Sequence, residues 1–406
     1  MHKRKVLMTV EDGNVWSYLQ EDGEIAEIHC TPLYSEEEKS APTLGNIYIG
    51  KVKNIAANIG AAFIEIQNGL NCYYDISQAQ HAIFTDKRGK KPLCIGDELV
   101  VQINKEAVKS KAPTVTSNLS FTGRYAVLTH GNTRIGASGK LPKELREAYK
   151  AKLSEYKNEN FGLIVRTNAG EVPFEKVLGE VESLKAEYEQ ILHTAKSRTC
   201  FSCLKSAPPA YIADLKNVYG DGLEEIVIED EDMYMSIYHF FEREQPEIAA
   251  RLRLYTDKQL SLANLYSTKT ALEKATRQHV WLKNGGYLII QPTEALTVID
   301  VNSGKYTAKK KRSDAALAVN MEAAKEAARQ IRLRNLSGII IVDFINLESE
   351  EEQKTLLREF RHCLEQDPIQ TTLVDVTPLQ LVEVTRKKVR KPLHEMINEI
   401  AYNNTI

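Results

Sequence analysis

Long apolar runs are missing from this sequence. No stretch approaches the ~18 consecutive apolar residues that a membrane-spanning helix needs, and the basic start at residues 1–8 is followed by Glu11 and Asp12 before the apolar region of a secretion signal could form. We therefore expect a protein with no membrane span and no secretion signal, located in the cytoplasm.

Cysteine is also scarce, with six residues at irregular spacing among 406. This pattern is typical of reduced cytoplasmic thiols rather than of a disulfide framework. Cys200 and Cys203 form a lone CxxC motif, and a zinc site would need a second pair, which only another chain could supply. The nine histidines form no HExxH motif, which disfavours zinc hydrolase chemistry. We expect no zinc.

A strong excess of charge of either sign is absent, since the net charge is −2. This balance excludes a uniformly basic, histone-like binder but leaves room for local basic patches. The length suits two to four folded units at roughly 100–200 residues each.

The first 122 residues carry strand patterns separated by turn signals. Residues 5–10 and 15–19 flank Asp12-Gly13, and a second Asp-Gly turn follows at 22–23, as in tight hairpins. Five short strands are then predicted, at residues 46–55, 61–66, 71–74, 98–104 and 113–121. So many short strands in under a hundred residues favour a small barrel of the OB type.

Helical patterns dominate after about residue 140. Helices are predicted at 142–156 and 171–195, with a strand at 162–167 between them, and helices and strands alternate from 210 to 274. The chain is therefore expected to be an α/β protein of several domains.

The most informative segment is a strand–helix–strand pattern at residues 295–343. Asp300 ends one apolar strand, and Asn302 lies two residues on, so both side chains point the same way. A helix is predicted at 314–333. The apolar run Ile339–Val342 then predicts a strand buried on both faces, with Asp343 at its end.

The long connection allows parallel pairing, which would bring both aspartates to one sheet edge, where ligands bind in open α/β sheets. Two carboxylates with a neighbouring amide suit Mg²⁺. The alternative is that each aspartate only caps a turn.

The sequence resembles the ribonuclease E/G family along nearly its whole length. The residues that carry the resemblance are Gly45–Tyr48, Ala61–Phe63, Val165–Thr167, Thr293–Gly304, Glu322–Ala324, Ala328–Asn335, Gly338–Ile345, Thr377-Pro378 and Thr385–Lys387. The segments around Asp300 and Asp343 are the longest and most specific of these.

The resemblance implies a mixed α/β architecture with an inserted OB-fold barrel. The implied parts are an RNase H-like first segment at 1–40, the barrel at 41–122, a 5′-end sensor region at 123–209, an RNase H-like second segment at 210–277 and a DNase I-like catalytic part at 278–406. It further implies endonucleolytic cleavage of single-stranded, often A/U-rich RNA, a preference for 5′-monophosphate ends, and a role in RNA processing and mRNA decay.

The resemblance also assigns residues to roles. Asp300 and Asp343 match the aspartates that hold Mg²⁺, for which Mn²⁺ is an alternative, and Asn302 matches a catalytic asparagine. RNA-binding positions of the barrel match Phe63, Tyr73 and Lys111. The 5′-phosphate pocket matches Gly123, Val127, Arg166 and Thr167.

Several of these residues have simpler interpretations. Phe63 lies in an alternating strand and would more often be a core residue, and Arg166-Thr167 would more often be a solvated pair. The cations of the loop Lys305–Arg312, and a second cluster at 386–391, either bind RNA backbone or are solvated.

Two departures from the family weaken parts of the resemblance. Gln370 stands where some members have a third sensor arginine, so 5′-end sensing is expected to be weak. No zinc-link cysteine motif follows Lys387, so any homodimer is expected not to be zinc-linked.

Two other functions fit parts of the sequence: an RNA-binding regulator without cleavage, and a DNA nuclease. The intact set of Asp300, Asn302 and Asp343 argues against the first. Only the family resemblance separates RNA from DNA.

Overall fold

The computed structural model describes residues 3–33, 43–67, 69–85, 92–105, 112–217, 222–304 and 312–403. The chain divides into two compact units, one made of Met1–Leu33 with Asp221–Ile406 and the other of Tyr34–Gly220. The second unit is thus inserted into the first along the sequence. Both units mix helices and strands, which confirms the α/β class. Among the described residues, none of the helices combines the length and apolar character that crossing a bilayer requires.

The elements alternate along the chain. Before the insertion come β1 Arg4–Glu11, β2 Asn14–Glu21 and β3 Glu24–Pro32. The inserted unit contains β4 Ile47–Ala56, β5 Ala61–Gln67, β6 Leu70–Asp75, β7 Glu98–Lys105, β8 Thr114–Thr116, β9 Ser120–Thr122, β10 Ala126–His130, β11 Ile135–Ala137, α1 Lys143–Lys152, β12 Phe161–Val165, α2 Phe174–Ala195, β13 Cys203–Lys205 and α3 Ala210–Asn217.

After the insertion come β14 Leu223–Ile228, α4 Glu231–Glu244, α5 Pro246–Ala249, β15 Leu252–Leu254, α6 Leu262–Leu265, α7 Thr268–Thr276, β16 His279–Trp281, β17 Tyr287–Pro292, β18 Leu296–Asn302, α8 Arg312–Leu333, β19 Gly338–Asp343, α9 Glu350–Glu365, β20 Thr371–Val376, β21 Val382–Arg386 and α10 Leu393–Asn403.

The first sheet of the larger unit joins strands from both sides of the insertion, in the order β15-β14-β1-β2-β3. Its two hairpins turn at the predicted Asp-Gly pairs. Asp12 and Gly13 have φ of 50° and 69°, and Asp22 and Gly23 have φ of 49° and 89°. Two successive positive φ values suit the right-handed twist of the flanking strands, so the predicted hairpins are confirmed.

The inserted unit contains the predicted barrel. Strands β4, β5, β6, β8 and β7 pair in sequence around it, and β7 closes it by pairing with β4. The single strand predicted at 113–121 is wrong, because the chain turns between β8 and β9. The Thr116 hydroxyl accepts a hydrogen bond from the Asn118 N–H (3.0 Å), and β9 then joins another sheet, of order β11-β12-β10-β9.

Helix α2 covers the β9–β12 sheet with a buried apolar stripe that includes Val177, Val181 and Tyr188. The sequence predicts this helix from residue 171, but it begins at Phe174. Pro173 is the residue before it, and a proline, which lacks an N–H, suits the first turn of a helix but not its interior. Residues Thr167–Glu171 form a short 3₁₀ turn instead.

The second sheet of the larger unit has one covered face and one open face. Its order is β16-β17-β18-β19-β21-β20, and α8 and α9 pack on the same side. Ile340 and Val342 are fully buried, whereas Ile339 is 50% exposed. The predicted burial of β19 on both faces is therefore wrong. Alternate residues of a strand face opposite sides, and β-branched residues favour strands whether or not both sides are covered.

A buried ion pair ties the start of β19 to its surroundings. Arg386 of β21 binds Asp367 (Nε–Oδ2 2.8 Å), and both side chains are at least 95% buried. The same guanidinium donates to Asn335 Oδ1 (2.6 Å) and to the Leu336 carbonyl (3.2 Å). The basic cluster at 386–391 is expected from the sequence either to bind RNA backbone or to be solvated. Arg386 does neither, because it is buried in this ion pair.

We predict that Arg386→Met lowers the free energy of unfolding of this unit by about 3–5 kcal/mol, because it leaves the Asp367 carboxylate buried without a cation. Lys388→Met is the control. Lys388 is exposed and pairs only across the surface with Glu395, so the change should stay within about 0.5 kcal/mol. Both tryptophans lie in this unit, so urea unfolding followed by tryptophan emission measures it. If both variants lowered the free energy of unfolding by no more than about 0.5 kcal/mol, the prediction would be contradicted.

Candidate functional site

The two predicted aspartates face each other across adjacent parallel strands. Strands β18 and β19 pair in parallel, and Asp300 is the register partner of Asp343. Their neighbours Ile299 and Val342 point into the core, so both carboxylates lie on the open face of the sheet. Asp343 is exposed, and Asp300 is partly buried. The structure therefore brings the predicted pair together.

Asn302 belongs to the same cluster. Its side-chain Nδ2 donates a hydrogen bond to Asp300 Oδ2 (2.7 Å). The bond orients one carboxylate oxygen of Asp300. It uses the amide nitrogen of Asn302 and not its amide oxygen. All three predicted catalytic residues thus sit on one face, at the carboxyl ends of two neighbouring strands.

Helix α8 holds the backbone on both sides of this cluster. The buried Asn320 donates to the Ile345 carbonyl (2.7 Å) and accepts from the Ile345 N–H (3.0 Å), two residues beyond Asp343. Glu322 accepts hydrogen bonds from the backbone N–H groups of Lys283 and Asn284, in the turn before β17. One helix therefore holds the segment after β19 and the turn before β17, which is the neighbour of β18 in the sheet.

The electrostatics of the pair favour a bound cation. Burial raises the pKa of Asp343, and the negative charge of Asp300 raises it further. A divalent ion between the carboxylates would remove this repulsion. Within the described ranges, no group of three or more His, Cys, Asp or Glu side chains is placed to hold a metal. Two carboxylates and an amide fit Mg²⁺, which keeps several waters and takes few protein ligands.

The predicted RNA-binding aromatics of the barrel form a cross-strand pair. Phe63 of β5 is the register partner of Tyr73 of β6. Both side chains are only partly buried, while Ile64, Cys72 and Tyr74 beside them are fully buried. Phe63 is therefore on the outer surface of the barrel rather than in its core. Lys111, the third predicted residue, lies outside the described residues.

The four predicted sensor residues lie on the β11-β12-β10-β9 sheet or its edges. Arg166 follows β12, and its Nη1 donates to the Gly123 carbonyl (2.7 Å). Val127 lies on the neighbouring strand β10, paired with Thr122 and Ile164. Thr167 bonds to the Ser138 hydroxyl (2.8 Å). The structure thus brings Gly123 and Arg166 into direct contact.

A carboxylate that the sequence did not single out already occupies the backbone N–H groups beside Gly123. Glu180 of α2 accepts from the N–H of Arg124, and from that of Tyr125 at 2.6 Å. A side chain at position 123 would collide with this carboxylate, which explains the glycine. Burial raises the pKa of Glu180, although these N–H groups and the charge of Arg166 favour its ionised form. Glu180 lies 56 residues from Arg124, so no local pattern could reveal it.

Three aromatic side chains on the open face were also missed. His279 and Trp281 of β16 and Tyr287 of β17 lie on the same face as Asp300 and Asn302. The alternation His279-Val280-Trp281 before the turn at Gly285-Gly286 is a local signal that indicates the first two.

The lone CxxC motif shows no sign of activated thiols. Cys200 is partly buried and Cys203 is exposed. Burial raises the pKa of Cys200 to about 11, and the nearby Glu98 charge acts in the same direction. Burial also raises the pKa of Cys203. Neither thiol is therefore activated as a nucleophile by its surroundings. The basic loop 305–311 lies outside the described residues.

Known proteins are similar to the part of the chain that contains this cluster. A model described as "Ribonuclease E/G family" matches residues 120–389. Ribonuclease E of Synechocystis sp. is 32% identical over 88% of the chain, and ribonuclease G of Salmonella typhimurium is 30% identical over 93%. Ribonuclease G of Escherichia coli is 29% identical over 93%. The matches cover 54% of the ribonuclease E and 78% of each ribonuclease G.

We predict that Mg²⁺ stabilises this protein through Asp300 and Asp343. At ten times its dissociation constant, a ligand specific to the folded state adds about 1.4 kcal/mol, or roughly 3–5 °C in Tm for a unit of this size. Asp343→Asn should abolish the shift without lowering the metal-free Tm, because it also removes the repulsion. Glu351→Gln, which changes an exposed carboxylate, should keep the shift. Thermal unfolding with chelator and with Mg²⁺ measures this, and an undiminished shift in Asp343→Asn would contradict it.

Proposed function

The chain belongs to the ribonuclease E/G family, and we propose from this premise that it is an endoribonuclease, a hydrolase that cleaves single-stranded RNA. The proposed cofactor is Mg²⁺, with Mn²⁺ as an alternative. The proposed role is in RNA processing and mRNA decay in the cytoplasm. The single observation that carries this proposal is the register of Asp300 and Asp343, with Asn302 hydrogen-bonded to Asp300.

The three residues of the cluster have different roles in the proposed phosphodiester cleavage. Asp300 and Asp343 would hold the ion, and Asn302 keeps Asp300 oriented. The ion, when bound, polarises the scissile phosphate and neutralises developing charge. Phosphoryl transfer depends on positioning and charge neutralisation more than on covalent help from the protein. The backbone contacts of Asn320 and Glu322 contribute to that positioning, because they restrain the segment after β19 and the turn before β17, the neighbour of β18.

The barrel supports single-stranded RNA as the substrate. Aromatic faces stack on unpaired bases of any sequence, and the paired, partly exposed Phe63 and Tyr73 offer two such faces on adjacent strands. Lys111 would add a phosphate contact.

The five-part division at residues 40, 122, 209 and 277, with RNase H-like and DNase I-like parts, belongs to this proposal as well.

A preference for 5′-monophosphate RNA is proposed to be present but weak. Arg166 can bind a terminal phosphate with charge-assisted hydrogen bonds. However, Glu180 already accepts from the N–H groups of Arg124 and Tyr125, and its charge faces that of Arg166. A phosphate entering this place must displace a carboxylate of the protein itself. That competition adds to the weakening expected from Gln370, which is exposed in the loop after α9.

We predict that Asp300→Asn and Asp343→Asn each lower kcat for an unstructured RNA by about a hundredfold or more, because the metal contributes several kcal/mol to transition-state stabilisation. RNA affinity without divalent metal should not fall, since neither carboxylate attracts phosphate and each variant removes one repelling charge. Glu351→Gln serves as the control. Cleavage assays and binding assays on the same RNA separate the two effects, and near-normal cleavage by either Asp variant would refute the site.

We predict that Glu180→Ala strengthens the preference for a 5′-monophosphate over a 5′-hydroxyl by about tenfold, because it frees backbone donors worth about 1.5–3 kcal/mol each to a charged group. Arg166→Ala should abolish the wild-type preference. The measurement is the ratio of kcat/KM on two RNAs that differ only at the 5′ end.

The matched control for this pair is Glu189→Ala, which removes an exposed carboxylate from the same helix. It should leave the ratio unchanged. If Glu180→Ala and Arg166→Ala both leave the ratio at the wild-type value, these residues do not form a phosphate pocket.

A further inference from the structure

The open face of the catalytic sheet carries an exposed aromatic cluster. Trp281 is 70% exposed, whereas the other tryptophan of the chain, Trp16, is 7% exposed. The ring of Tyr287 lies between its two partners, with its centroid 5.2 Å from Trp281 and 5.4 Å from His279. We call His279, Trp281 and Tyr287 the aromatic platform. A contiguous group of apolar side chains on a protein surface often marks a binding site.

Strand register places the platform beside the aspartates. Trp281 pairs with Tyr287, and Tyr287 pairs with Asn302. His279 pairs with Ile289, which pairs with Asp300. With strands about 4.8 Å apart and residues about 3.4 Å apart along them, the Cα of Tyr287 lies roughly 8 Å from that of Asp300, and the Cα of Trp281 roughly 12 Å. A nucleotide next to a phosphate held at Asp300 would reach the platform.

The platform is held in place by the elements that shape the site. The hairpin between β16 and β17 is fixed by Glu322, which accepts from Lys283 and Asn284. Gly304, at φ of 55°, brings the turn after Asn302 against the Tyr287 ring, so that an added Cβ would lie 3.3 Å from the ring. The rings and the carboxylates therefore share one rigid support.

The chemistry of the platform suits a base better than a phosphate. Aromatic ring faces stack on every nucleobase, each of which has a π face. The neighbouring carboxylates repel phosphate except where a metal neutralises them. We propose that the aromatic platform stacks on an unpaired base of single-stranded RNA next to the cleaved phosphate. This inference rests on the proposed function and adds a second stacking surface to the one on the barrel.

The two tryptophans give the test a direct signal. In chelator, where no cleavage occurs, an unstructured 5′-hydroxyl oligoribonucleotide should quench tryptophan emission. An abasic oligonucleotide of equal length should not, because it has no base to stack. Trp281→Phe should remove the quenching, since Trp16 is buried, but should keep binding.

Affinity and kinetics supply the second readout. Trp281→Ala should raise both the Kd without metal and the KM with Mg²⁺ by about tenfold, as expected for one lost stacking contact. Trp281→Phe should restore most of this loss. Tyr238→Ala is the control and should change neither constant. It removes one ring of a stacked pair on α4, a helix that packs against β14 and β15 of the first sheet.

The outcomes separate this inference from the function on which it rests. If wild type does not cleave RNA with Mg²⁺, the proposed function fails. If wild type cleaves but Trp281→Ala leaves Kd and KM unchanged and no quenching occurs, the platform does not bind a base. If Trp281 becomes shielded as protein concentration rises without RNA, and Trp281→Ala is monomeric where wild type is dimeric, a second copy covers the platform and the inference is overturned.

Discussion

The buried pair of Arg386 and Asp367 is the contact on which the geometry of the site depends. It joins β21, the neighbour of β19, to the loop that follows α9, and the same guanidinium holds Asn335 and Leu336 between α8 and β19. The start of β19 is thereby fixed, and five residues later the strand delivers Asp343 opposite Asp300. Because strand register moves in whole residues, a shift of one position would turn Asp343 into the core.

One face of the sheet packs against helices and stabilises the fold, whereas the other face carries the site residues. The covered face is filled by α8 and α9, and the alanines 323, 324 and 327 of α8 are fully buried, so that the helix can approach the strands closely. The open face carries the carboxylates, and burial together with the negative charge of Asp300 raises the pKa of Asp343. Such a pair destabilises the metal-free protein, and the packed face opposite supplies the stability that tolerates it.

Local patterns in the sequence account for much of this fold. The Asp-Gly turns specify their hairpins, and apolar or alternating runs locate β1, β2, β4–β7, β12, β18 and β19. Strands β10, β11, β13, β16, β20 and β21 lie where no strand is predicted from the sequence. The aspartate pair follows from strand length, helix length and the preference for parallel crossovers. The run Ile339–Val342 misleads because a β-branched sequence suits an exposed strand face as well as a buried one.

What could not be predicted depends on contacts between distant segments. Glu180 reaches Arg124 across 56 residues, and Arg386 reaches Asn335 across 51. The pairing of Phe63 with Tyr73, and of Trp281 with Tyr287, depends on register, which a single strand does not encode. Sequence patterns therefore indicate individual residues but not the distant partners that position them.

Because one unit is inserted into the other along the sequence, the first sheet cannot be completed until the inserted unit has been synthesised. Strand β1 pairs in parallel with β14, which begins at Leu223, so the first sheet lacks a neighbour for β1 until the whole inserted unit has been made. At about 5–20 residues per second, ribosomes need roughly 10–40 s to cover that interval. The inserted unit can fold while the amino-terminal hairpins wait, and those hairpins expose an unpaired edge throughout. An unpaired strand edge is a template for pairing with another chain, so the amino-terminal hairpins remain open to mispairing until β14 has been made.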